Sequence, residues 1–563
     1  MSNLIKLASN ELNELILNAL GRLVSNGSVP SEPLPPFNIE IPADTSHGDF
    51  ATNIAMVCAK PFKMPPRKIA ELISEQLVLD GTMFERIEIA GPGFINFFLS
   101  RRWFSLVVQA ILDKKNDYGK TDTGKGKRIL LEFVSANPTG PMHIGNARGG
   151  AIGDCLASIM QYAGYYVERE FYINDAGNQI EKFATSLEVR YLQIYKDGIE
   201  MPEDAYQGED IIMHAEEFAK AFGDKYVGLS SEERRNALVD FALPKNIKGL
   251  EDDLRKYRIE YDNWFRESIL HENGDVDKIV RILKEKDCTY ELEGATWFKA
   301  TDFGADKDFV LVRSNGIPTY VVPDIAYHYN KLVTRNFDKA IDVLGADHHG
   351  YVPRLKSALT ALGVDANKLD VVIMQMVRLM RNGEVAKLSK RSGKAITLVT
   401  LLDEISIDAA RFYFNLRESN SHFEFDLDLA VEKSAQNPVY YVQYAHARIC
   451  SLIDNLSASG VNIIDYDLKQ FDILDKQQEI ELIRHMATLP CEVDSAAKTY
   501  DPAKITKYSV ELATLFHKFY DACSVKNAET EQLKQSRLAL CKAVKQVLSN
   551  SLTMLKIECP RKM

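Results

Sequence analysis

Two segments of the sequence combine residue types that bind phosphate groups. The first, Glu132-Phe-Val-Ser-Ala-Asn-Pro-Thr-Gly-Pro-Met-His-Ile-Gly-Asn146, carries a His143-x-Gly145 pattern where a predicted strand meets a predicted helix. Amide groups and the dipole at a helix N-terminus favour anions, and Gly145 lets a nucleotide approach the backbone closely. The pattern indicates a nucleotide-phosphate site, although a buried histidine beside a tight turn would have the same short signature.

The second segment, Lys387-Leu-Ser-Lys-Arg-Ser-Gly-Lys394, follows the last predicted strand. Its lysines, serines and glycine suit a loop that closes over a triphosphate and neutralises charge as pyrophosphate leaves. A basic run of this length is, by itself, more often a solvated surface. The two segments become a chemical signature only if the elements between them bring them together.

The elements around the first segment form a predicted βαβ unit. Hydrophobic periodicity predicts a strand at 128–134, a loop at 135–142, a helix at 144–163 and a strand at 165–173. The pattern resumes downstream with strands at 309–313, 340–344 and 371–374 and helices at 324–333 and 351–362. A parallel α/β architecture follows, interrupted by a charged insertion with helical periodicity at about 187–295.

The flanking regions predict two further domains. A helical opening, a helix at 66–79 and strands at 87–90 and 93–99 predict a compact α+β domain. Glycine and lysine at 119–127 favour an exposed linker. Beyond Leu402 the strand pattern disappears, and helices are predicted at 431–456, 477–498, 502–523 and 529–555. The predicted domains are 1–118, 119–401 and 402–563, the last a helical bundle.

Composition limits the classes of protein that fit. The chain has 563 residues, of which 46% are hydrophobic and 26% charged, as in a globular protein of several domains. Its net charge of −11 creates no overall basic field, so any nucleic-acid surface must be local. The eight cysteines lack zinc-ligand spacing, which predicts reduced thiols and no metal site. Glu11 and Glu14 interrupt the first helical stretch, so we expect a cytoplasmic protein without a signal peptide or membrane span.

In this order and at this separation, the two segments resemble the HIGH and KMSK signature pair of class I aminoacyl-tRNA synthetases. Leu388 replaces the methionine of the second motif, and Asn146 replaces the last histidine of the first. Asparagine can still donate a hydrogen bond to phosphate but carries no charge. The resemblance narrows to the arginyl enzymes through four further segments, 135–141, 172–179, 319–324 and 345–349. Residues 423–428, 437–448 and the closing helices resemble that family's anticodon-binding domain.

This resemblance implies a multidomain α/β fold with three parts. They are a Rossmann-type class I synthetase catalytic domain, an N-terminal α+β tRNA-binding domain and a C-terminal all-α anticodon-binding bundle. The implied activity is that of an arginine-tRNA ligase, which uses ATP to form arginyl-adenylate, releases pyrophosphate and transfers arginine to the 3' end of tRNA(Arg). The implied partners are tRNA(Arg), L-arginine and ATP with Mg²⁺, for a monomer that binds neither membrane nor DNA.

The resemblance also implies a role for individual residues. It assigns His143, Lys387 and Lys390 to catalysis. For ATP binding it implies the same three residues together with Gly145, Asn146, Asp347, His348 and Ser389. For arginine it implies Glu132, Asn137 and His143 at the backbone end and Tyr320 and Asp324 at the side chain. A guanidinium group prefers planar carboxylates and an aromatic surface, which agrees with this assignment.

Several of these residues have simpler interpretations. Asp324 could be an N-cap carboxylate of its helix, and Glu132 could belong to a cross-strand ion pair. Asp347, His348 and His349 follow a predicted strand, where ligands bind in open α/β sheets. They lack a third well-spaced ligand for a metal, so contact with the adenosine or its ribose is the preferred interpretation.

Both ends of the chain offer candidate RNA-binding features. The segments 47–53 and 65–68 resemble the domain with which arginyl enzymes grip the tRNA elbow. The segment from Val525 to Met563 contains eight Lys or Arg residues and only three Asp or Glu residues, which predicts a local basic surface. Tyr440, Tyr441 and Tyr444 precede this surface, and aromatic rings beside positive charge suit unpaired bases. Part of these tyrosines must also serve the core of the bundle.

Three alternatives remain open at this point. Another class I synthetase would share both signature segments, but the absence of a cysteine zinc site disfavours the cysteinyl enzyme, and two pocket carboxylates disfavour an acidic substrate. A smaller nucleotidylyltransferase would not need the long helical C-terminal domain. A catalytically silent RNA-binding relative would explain Asn146, but it would have no reason to retain Lys387 and Lys390.

Overall fold

The structure is a computed structural model that describes residues 3–386, 396–461 and 468–563. The N-terminal part consists of α1 (Leu4–Ser25), β1 (Ile39–Glu40), β2 (Phe50–Thr52), α2 (Ile54–Phe62), α3 (Pro66–Gln76), β3 (Phe84–Ala90), β4 (Phe94–Leu99) and α4 (Arg101–Lys114). Its strands form an antiparallel sheet in the order β1-β2-β4-β3. The buried rings of Phe50, Phe84 and Phe97 meet edge to face under the helices. The predicted α+β architecture is confirmed.

The central part begins with β5 (Arg128–Phe133), α5 (Ile144–Tyr162) and β6 (Tyr166–Ile173), which confirms the predicted βαβ unit. Both strands pair in parallel, as the right-handed crossover through α5 requires. Alanine and glycine allow α5 to lie directly on the sheet. A Cβ atom at Gly153 would come within 2.2 Å of Phe133, so no other residue fits at this position. The N-terminus of α5 is thereby fixed at the carboxyl end of β5.

The region after β6 contains α6 (Asn178–Tyr195), α7 (Glu209–Phe222), α8 (Ser231–Lys256), β7 (Asn263–Arg266), α9 (Ser268–Glu272), α10 (Asp275–Glu285), β8 (Thr289–Leu292), β9 (Ala295–Phe298) and β10 (Phe309–Val312). The region predicted as a helical insertion, 187–295, is helical in α6 to α10, but the strands β7 and β8 within it contradict the prediction locally. Helices α6 to α8 share a separate core, but β7 pairs in parallel with β6 and extends the main sheet. The strands β8, β9 and β10 form an antiparallel sheet of their own, because each is short and finds its partner through a tight hairpin or a nearby loop.

The central part ends with α11 (Val321–Tyr329), a π-helical turn (Asn330–Thr334), β11 (Lys339–Gly345), α12 (Val352–Ala361), β12 (Leu369–Met374), β13 (Val377–Arg381) and β14 (Glu384–Val385). The main sheet is parallel with strand order β12-β11-β5-β6-β7. Its order reverses beside β5, so ligands are expected at the carboxyl ends of β5 and β11. The predicted strands 340–344 and 371–374 are both part of this sheet.

The C-terminal part contains α13 (Leu398–Leu402), α14 (Ile407–Phe414), β15 (Phe423–Asp426), α15 (Leu427–Val431), α16 (Pro438–Ala458), α17 (Gln477–Ala487), α18 (Leu489–Thr499), α19 (Ala503–Ala522) and α20 (Glu531–Met554). The helical bundle is confirmed, but the expectation that strands disappear after Leu402 is wrong. β15 pairs in parallel with β13, and its Phe423 and Phe425 are buried while Glu424 and Asp426 are exposed. This period of two over only four residues is too short to stand out in the sequence.

The joint between the first two parts also differs from its prediction. Residues 119–127 lack helix and strand, yet Gly119, Thr121 and Gly124 are buried rather than exposed. The hydroxyl groups of Thr121 and Thr123 both donate hydrogen bonds to Asp494 of α18, the second at 2.7 Å. A single hydrophobic core accordingly continues from α1 through α5 to α20. None of the helices in the described ranges is long and apolar enough to cross a membrane.

Candidate functional site

A cavity of about 1860 Å³ opens at the carboxyl ends of the parallel strands. Its walls come from the loop after β5, the N-terminus of α5, the start of α11 and the turn after β11. Pockets for one small ligand are usually of about 300 to 1,000 Å³, so this cavity has room for two. The predicted site residues Glu132, Asn137, His143, Gly145, Asn146, Tyr320, Asp324, Asp347 and His348 all line it. Lys387, Ser389 and Lys390 lie outside the described residues.

His143 and Asn146 cap the helix that points into this cavity. The Nδ1 atom of His143 accepts the backbone N–H of Gly145 at 3.1 Å, and the side-chain oxygen of Asn146 accepts the backbone N–H of His143 at 3.1 Å. A Cβ atom at Gly145 would come within 2.9 Å of the His143 ring. Asn146 therefore helps to cap the helix. Its carboxamide group, which stands where the signature has a histidine, is held in a fixed orientation by the hydrogen bond from His143.

The chain segment that follows the second signature lies against His143. Thr397 forms an antiparallel bridge with His143, and the backbone N–H of Leu398 donates to the carbonyl of Met142 at 2.9 Å. The two signature segments are more than 240 residues apart in the sequence, yet the residues after the second one reach the first one. The sequence-based expectation that they act at one place is consistent with this contact.

The loop between β5 and α5 has a strained backbone. Val134 and Ser135 have φ angles of 70° and 40°, a region that β-branched residues such as valine rarely adopt. The Ser135 hydroxyl donates to Glu132 Oε1 at 2.8 Å and accepts the backbone N–H of Tyr172 at 3.1 Å. Asn246 of α8 donates to the carbonyl of Pro138 at 2.9 Å. These contacts hold the loop, and with it Asn137, at the cavity wall.

Glu132 lines the cavity and is buried. Its Oε2 atom accepts a hydrogen bond from Lys331 at 2.5 Å, and Lys331 also donates to Asp342 Oδ1 at 3.0 Å. The cross-strand register partner of Glu132 is the carboxylate Asp342 on β11, so its ion pair is with Lys331 of the π-helical turn and not with a residue of the neighbouring strand. Burial raises the pKa of Glu132, and the neighbouring Asp342 carboxylate raises it further, against the effect of Lys331. Glu132 thus combines the ion pair with a place on the cavity wall.

Asp324 and Tyr320 also line the cavity, at the start of α11. Tyr320, not Asp324, occupies the N-cap position, so the capping interpretation of Asp324 is wrong. The Asp324 side chain keeps 33% of its surface exposed. Tyr320, which is 73% exposed, has its ring 6.1 Å from the ring of Tyr351. A carboxylate with aromatic rings nearby is suited to a guanidinium group.

Two residues near Asp324 were not singled out from the sequence. Glu267 accepts a hydrogen bond from the Tyr172 hydroxyl at 2.8 Å, and its pKa is raised by burial and by the nearby Asp324 carboxylate. The hydroxyl of Tyr351 is buried beside the Asp324 carboxylate. Burial raises the pKa of Tyr351, and the Asp324 carboxylate raises it further. Glu267 follows β7, in the region predicted to be helical insertion, so its place at the cavity depends on a strand that the sequence did not reveal.

Asp347 and His348 form an exposed turn after β11. The Nε2 atom of His348 lies 3.6 Å from Asp347 Oδ2, and both residues line the cavity. Within the described ranges no group of three or more His, Cys, Asp or Glu side chains could hold a metal ion. Their position fits contact with a nucleoside, as expected from the sequence.

A strip of aromatic rings lies apart from the cavity, on α16 and α19. The rings of Tyr440 and Tyr444 stack at 6.1 Å, and Tyr444 stacks on His517 at 6.0 Å. Arg448 lies over the ring of Tyr520 at 3.9 Å. His446, by contrast, is buried beside the carbonyl of Pro560. Part of the predicted tyrosine cluster therefore presents stacking surfaces beside a cation.

Comparison with protein families gives three matches along the chain. The model described as "tRNA synthetases class I (R), catalytic domain" matches residues 107–453. The model described as "Arginyl tRNA synthetase N terminal domain" matches residues 10–99, and the "DALR anticodon binding domain" matches residues 442–563. The three matches together account for nearly the whole sequence.

Individual relatives match over the full length. The arginine-tRNA ligase of Caldanaerobacter subterraneus subsp. tengcongensis is 53% identical over 563 residues and that of Acetivibrio thermocellus 50% over 565, each alignment covering 100% of both chains. Among solved structures, an arginyl-tRNA synthetase from Campylobacter jejuni is 33% identical with a TM-score of 0.74, covering 83% of this chain and 100% of that one. The Thermus thermophilus arginyl-tRNA synthetase is 21% identical, with a TM-score of 0.74, and the match covers 98% of this chain and 100% of that one. This second match shows a likeness of fold.

Proposed function

The chain belongs to the family of class I arginyl-tRNA synthetases, and from this premise we propose how its cavity holds the two small substrates. The protein is an ATP-dependent arginine-tRNA ligase. It activates L-arginine as arginyl-adenylate, releases pyrophosphate and transfers arginine to the 3' end of tRNA(Arg). The observation that carries the proposal is that the two carboxylates Glu132 and Asp324 line the same cavity.

The Asp324 end binds the guanidinium group. Asp324 and Glu267 supply two carboxylates, the rings of Tyr320 and Tyr351 supply flat faces, and the Tyr351 hydroxyl beside Asp324 supplies a polar atom. Hydrogen bonds between a guanidinium and carboxylates are charge-assisted and gain strength in a partly buried site. Burial raises the pKa values of Glu267 and Tyr351, and the Asp324 carboxylate raises them further, an effect that the charge of the bound substrate offsets.

The other end binds the α-ammonium group of arginine and the phosphates of ATP. Glu132 and Asn137 hold the ammonium group, which leaves the substrate carboxylate beside His143 and the N-terminus of α5. The helix dipole and the exposed N–H groups there attract the triphosphate. Gly145 permits close approach, and the fixed Asn146 carboxamide presents its NH₂ group. Asp347 and His348 contact the nucleoside.

Adenylation then needs no nucleophile from the protein. The carboxylate oxygen of arginine attacks the α-phosphorus of ATP, the bond to the β-phosphate oxygen breaks, and pyrophosphate leaves with its electron pair. The enzyme contributes position and charge stabilisation. By resemblance, Lys387 and Lys390 neutralise the departing pyrophosphate, assisted by Ser389. No protein side chain becomes acylated or adenylylated in this scheme.

Mg²⁺ accompanies ATP in this proposal and screens the charge of the triphosphate. The described residues offer no group of three metal ligands, which fits an ion held chiefly by phosphate oxygens and water with one or two protein oxygens at most. We further propose that the protein acts as a cytoplasmic monomer with domains at 1–118, 119–401 and 402–563. The aromatic strip of Tyr440, Tyr444 and His517 reads anticodon bases, and the N-terminal domain grips the tRNA elbow.

The substitution Asp324→Asn tests this arrangement, because it retains volume while removing the charge that faces the guanidinium. A buried charge pair that loses one partner costs about 2 to 5 kcal/mol. The KM for arginine should rise by well over tenfold in aminoacylation assays, while the KM for ATP should stay near that of the wild type. Asp365→Asn, an exposed capping aspartate away from the cavity, is the control and should leave both values unchanged. An unchanged arginine KM in folded Asp324→Asn protein would contradict the proposed orientation of the substrate.

A further inference from the structure

Helix α11 and the turn after it carry three charged or titratable residues near the cavity. Asp324 and His328 of α11 both line the cavity, although His328 is 3% exposed, and Lys331 is fully buried. Lys331 lies in the π-helical turn Asn330–Thr334, and such turns often mark functional positions. The Lys331 side chain has no exposed surface, and its ammonium group lies between Glu132 and Asp342. A fully buried lysine of this kind requires compensation by nearby carboxylates.

His328 connects Asp342 to the first turn of the same helix. Its Nε2 atom lies 2.7 Å from Asp342 Oδ2, and its Nδ1 atom lies 2.8 Å from the backbone carbonyl of Asp324 and 3.9 Å from Asp324 Oδ1. Both neighbours are hydrogen-bond acceptors, so both ring nitrogens must carry a proton. His328 is therefore an imidazolium cation. Asp342 and Asp324 raise the pKa of His328 against burial and the Lys331 charge, in agreement with this geometry.

These contacts form a continuous chain of groups with alternating charge. It runs through Asp324, His328, Asp342, Lys331 and Glu132, with the Asp324 carboxylate 3.9 Å from His328 Nδ1 and hydrogen bonds between the other neighbours. Three carboxylates and two cations leave a net charge of −1, and a carboxylate stands at each end. The two ends are the residues that the proposed function assigns to the guanidinium and the α-ammonium group. Asp342, at the centre, is 3% exposed and is not among the residues that line the cavity.

We propose that Asp342 is a positioning residue that sets both anionic ends of the arginine site without touching the substrate. Asp342 and Glu132 share the single ammonium charge of Lys331, so these three groups together keep a net negative charge beside the substrate's α-ammonium group. Through His328 it fixes the turn of α11 that presents Asp324. This inference rests on the proposed function, since it takes Glu132 and Asp324 to be the arginine-binding carboxylates.

The series of charged groups from Asp324 to Glu132 predicts what happens when the charge of Asp342 is removed. Without the Asp342 carboxylate, Lys331 pairs with Glu132 alone and cancels the negative charge at that end. His328 loses its counter-ion and releases a proton, so one ring nitrogen becomes an acceptor that faces another acceptor. Both ends of the arginine site are affected, whereas the α5 end that receives ATP phosphates is not part of the chain.

Asp342→Asn tests this inference because it preserves the size of the side chain. We expect the arginine KM to rise about tenfold or more, with the ATP KM within about twofold of the wild type. The ¹⁵N resonances of the His328 ring, assigned through His328→Gln, should show an imidazolium in the wild type and a neutral ring in Asp342→Asn. Asp370→Asn is the matched control, since Asp370 on β12 pairs with Lys339 and Tyr500 outside the cavity. It should reduce thermal stability without changing either KM.

The outcomes separate this inference from the proposed function. If Asp342→Asn lowers the melting temperature as Asp370→Asn does and leaves the arginine KM unchanged, Asp342 has a structural role only and the inference fails. If Asp324→Asn still raises the arginine KM, the proposed function survives that failure; if it does not, the site assignment fails as well. Should Asp342→Asn not fold, His328→Gln decides. It retains a donor toward Asp342 but loses the contact with Asp324, and an unchanged arginine KM would overturn the inference.

Discussion

One cluster of buried charge at the cavity and another at the junction of the central and C-terminal parts differ in what satisfies their outermost groups. The cavity cluster contains Glu132, Lys331, Asp342 and His328. The junction cluster contains Asp154, Arg169 and Arg411, and it joins α5 to α14 and α20. Fully buried Arg411 donates to Asp154 Oδ2 at 2.6 Å and to the carbonyls of Tyr257 and Leu555 at 3.0 and 3.1 Å. Arg169 donates to Asp154 Oδ1 at 3.0 Å.

The comparison shows that buried charge alone does not identify a binding site. In the junction cluster the guanidinium groups end on backbone carbonyls and on one shared carboxylate, so the cluster is satisfied within the protein. The outermost groups of the cavity cluster are instead carboxylates at the wall of an open cavity, which is also lined by Asn174, whose side-chain oxygen has no hydrogen-bond partner among the described residues. The first arrangement stabilises the fold, and the second leaves negative charge for a ligand.

Asp154→Asn should have the largest effect of the substitutions compared here, and the effect should be on stability. Asp154 is the carboxylate that both buried guanidinium groups share, and removal of one partner of a buried ion pair costs about 3 to 5 kcal/mol. Chemical denaturation should show this loss. The arginine KM of the folded protein should not change, and a raised KM with wild-type stability would contradict the distinction between the clusters.

Glu267→Gln should show the opposite pattern. Loss of a hydrogen bond to a charged group costs about 1.5 to 3 kcal/mol, so the arginine KM should rise roughly ten- to hundredfold. Stability should change little, because Gln can still accept the hydrogen bond from the Tyr172 hydroxyl. Steady-state aminoacylation and thermal denaturation measure the two quantities. Equal KM values for the variant and the wild type would remove Glu267 from the guanidinium site.

Tyr351→Phe should have the smallest effect and sharpens the comparison. The Tyr351 hydroxyl is buried beside the partly exposed Asp324 carboxylate, so its removal should cost little stability. If it binds the substrate, the arginine KM should rise by about two- to tenfold, which corresponds to a hydrogen bond of about 0.5 to 1.5 kcal/mol. A loss of stability with unchanged KM would show that the hydroxyl serves the fold instead.

The sequence predicted those features that depend on local pattern. The strand, loop and helix from Arg128 to Tyr162 follow from periodicity and from glycine, and His143 and Gly145 lie at the helix N-terminus as predicted. The role of Asn146 as a capping acceptor could also have been suspected, because asparagine often satisfies helix ends. These elements need few long-range contacts to specify them.

Features that depend on distant partners were missed or misjudged. β7 and β15 have only four residues each, and they become strands because β6 and β13 lie beside them. Glu267 reaches the cavity only through β7. Lys331 and Asp342 meet Glu132 because of the register between β5 and β11 and because of the π-helical turn. No local pattern in the sequence specifies which charged residue becomes buried next to which other.

The most direct test of the account compares arginine with citrulline, which has a similar shape but carries a neutral side chain. Calorimetric titration of each amino acid into the enzyme with uncharged tRNA present gives both affinities. We predict that the wild type prefers arginine by more than about tenfold and that Asp324→Asn largely loses this preference. If Asp324→Asn retains the full preference, the anionic end of the cavity does not recognise the guanidinium group, and the account is wrong.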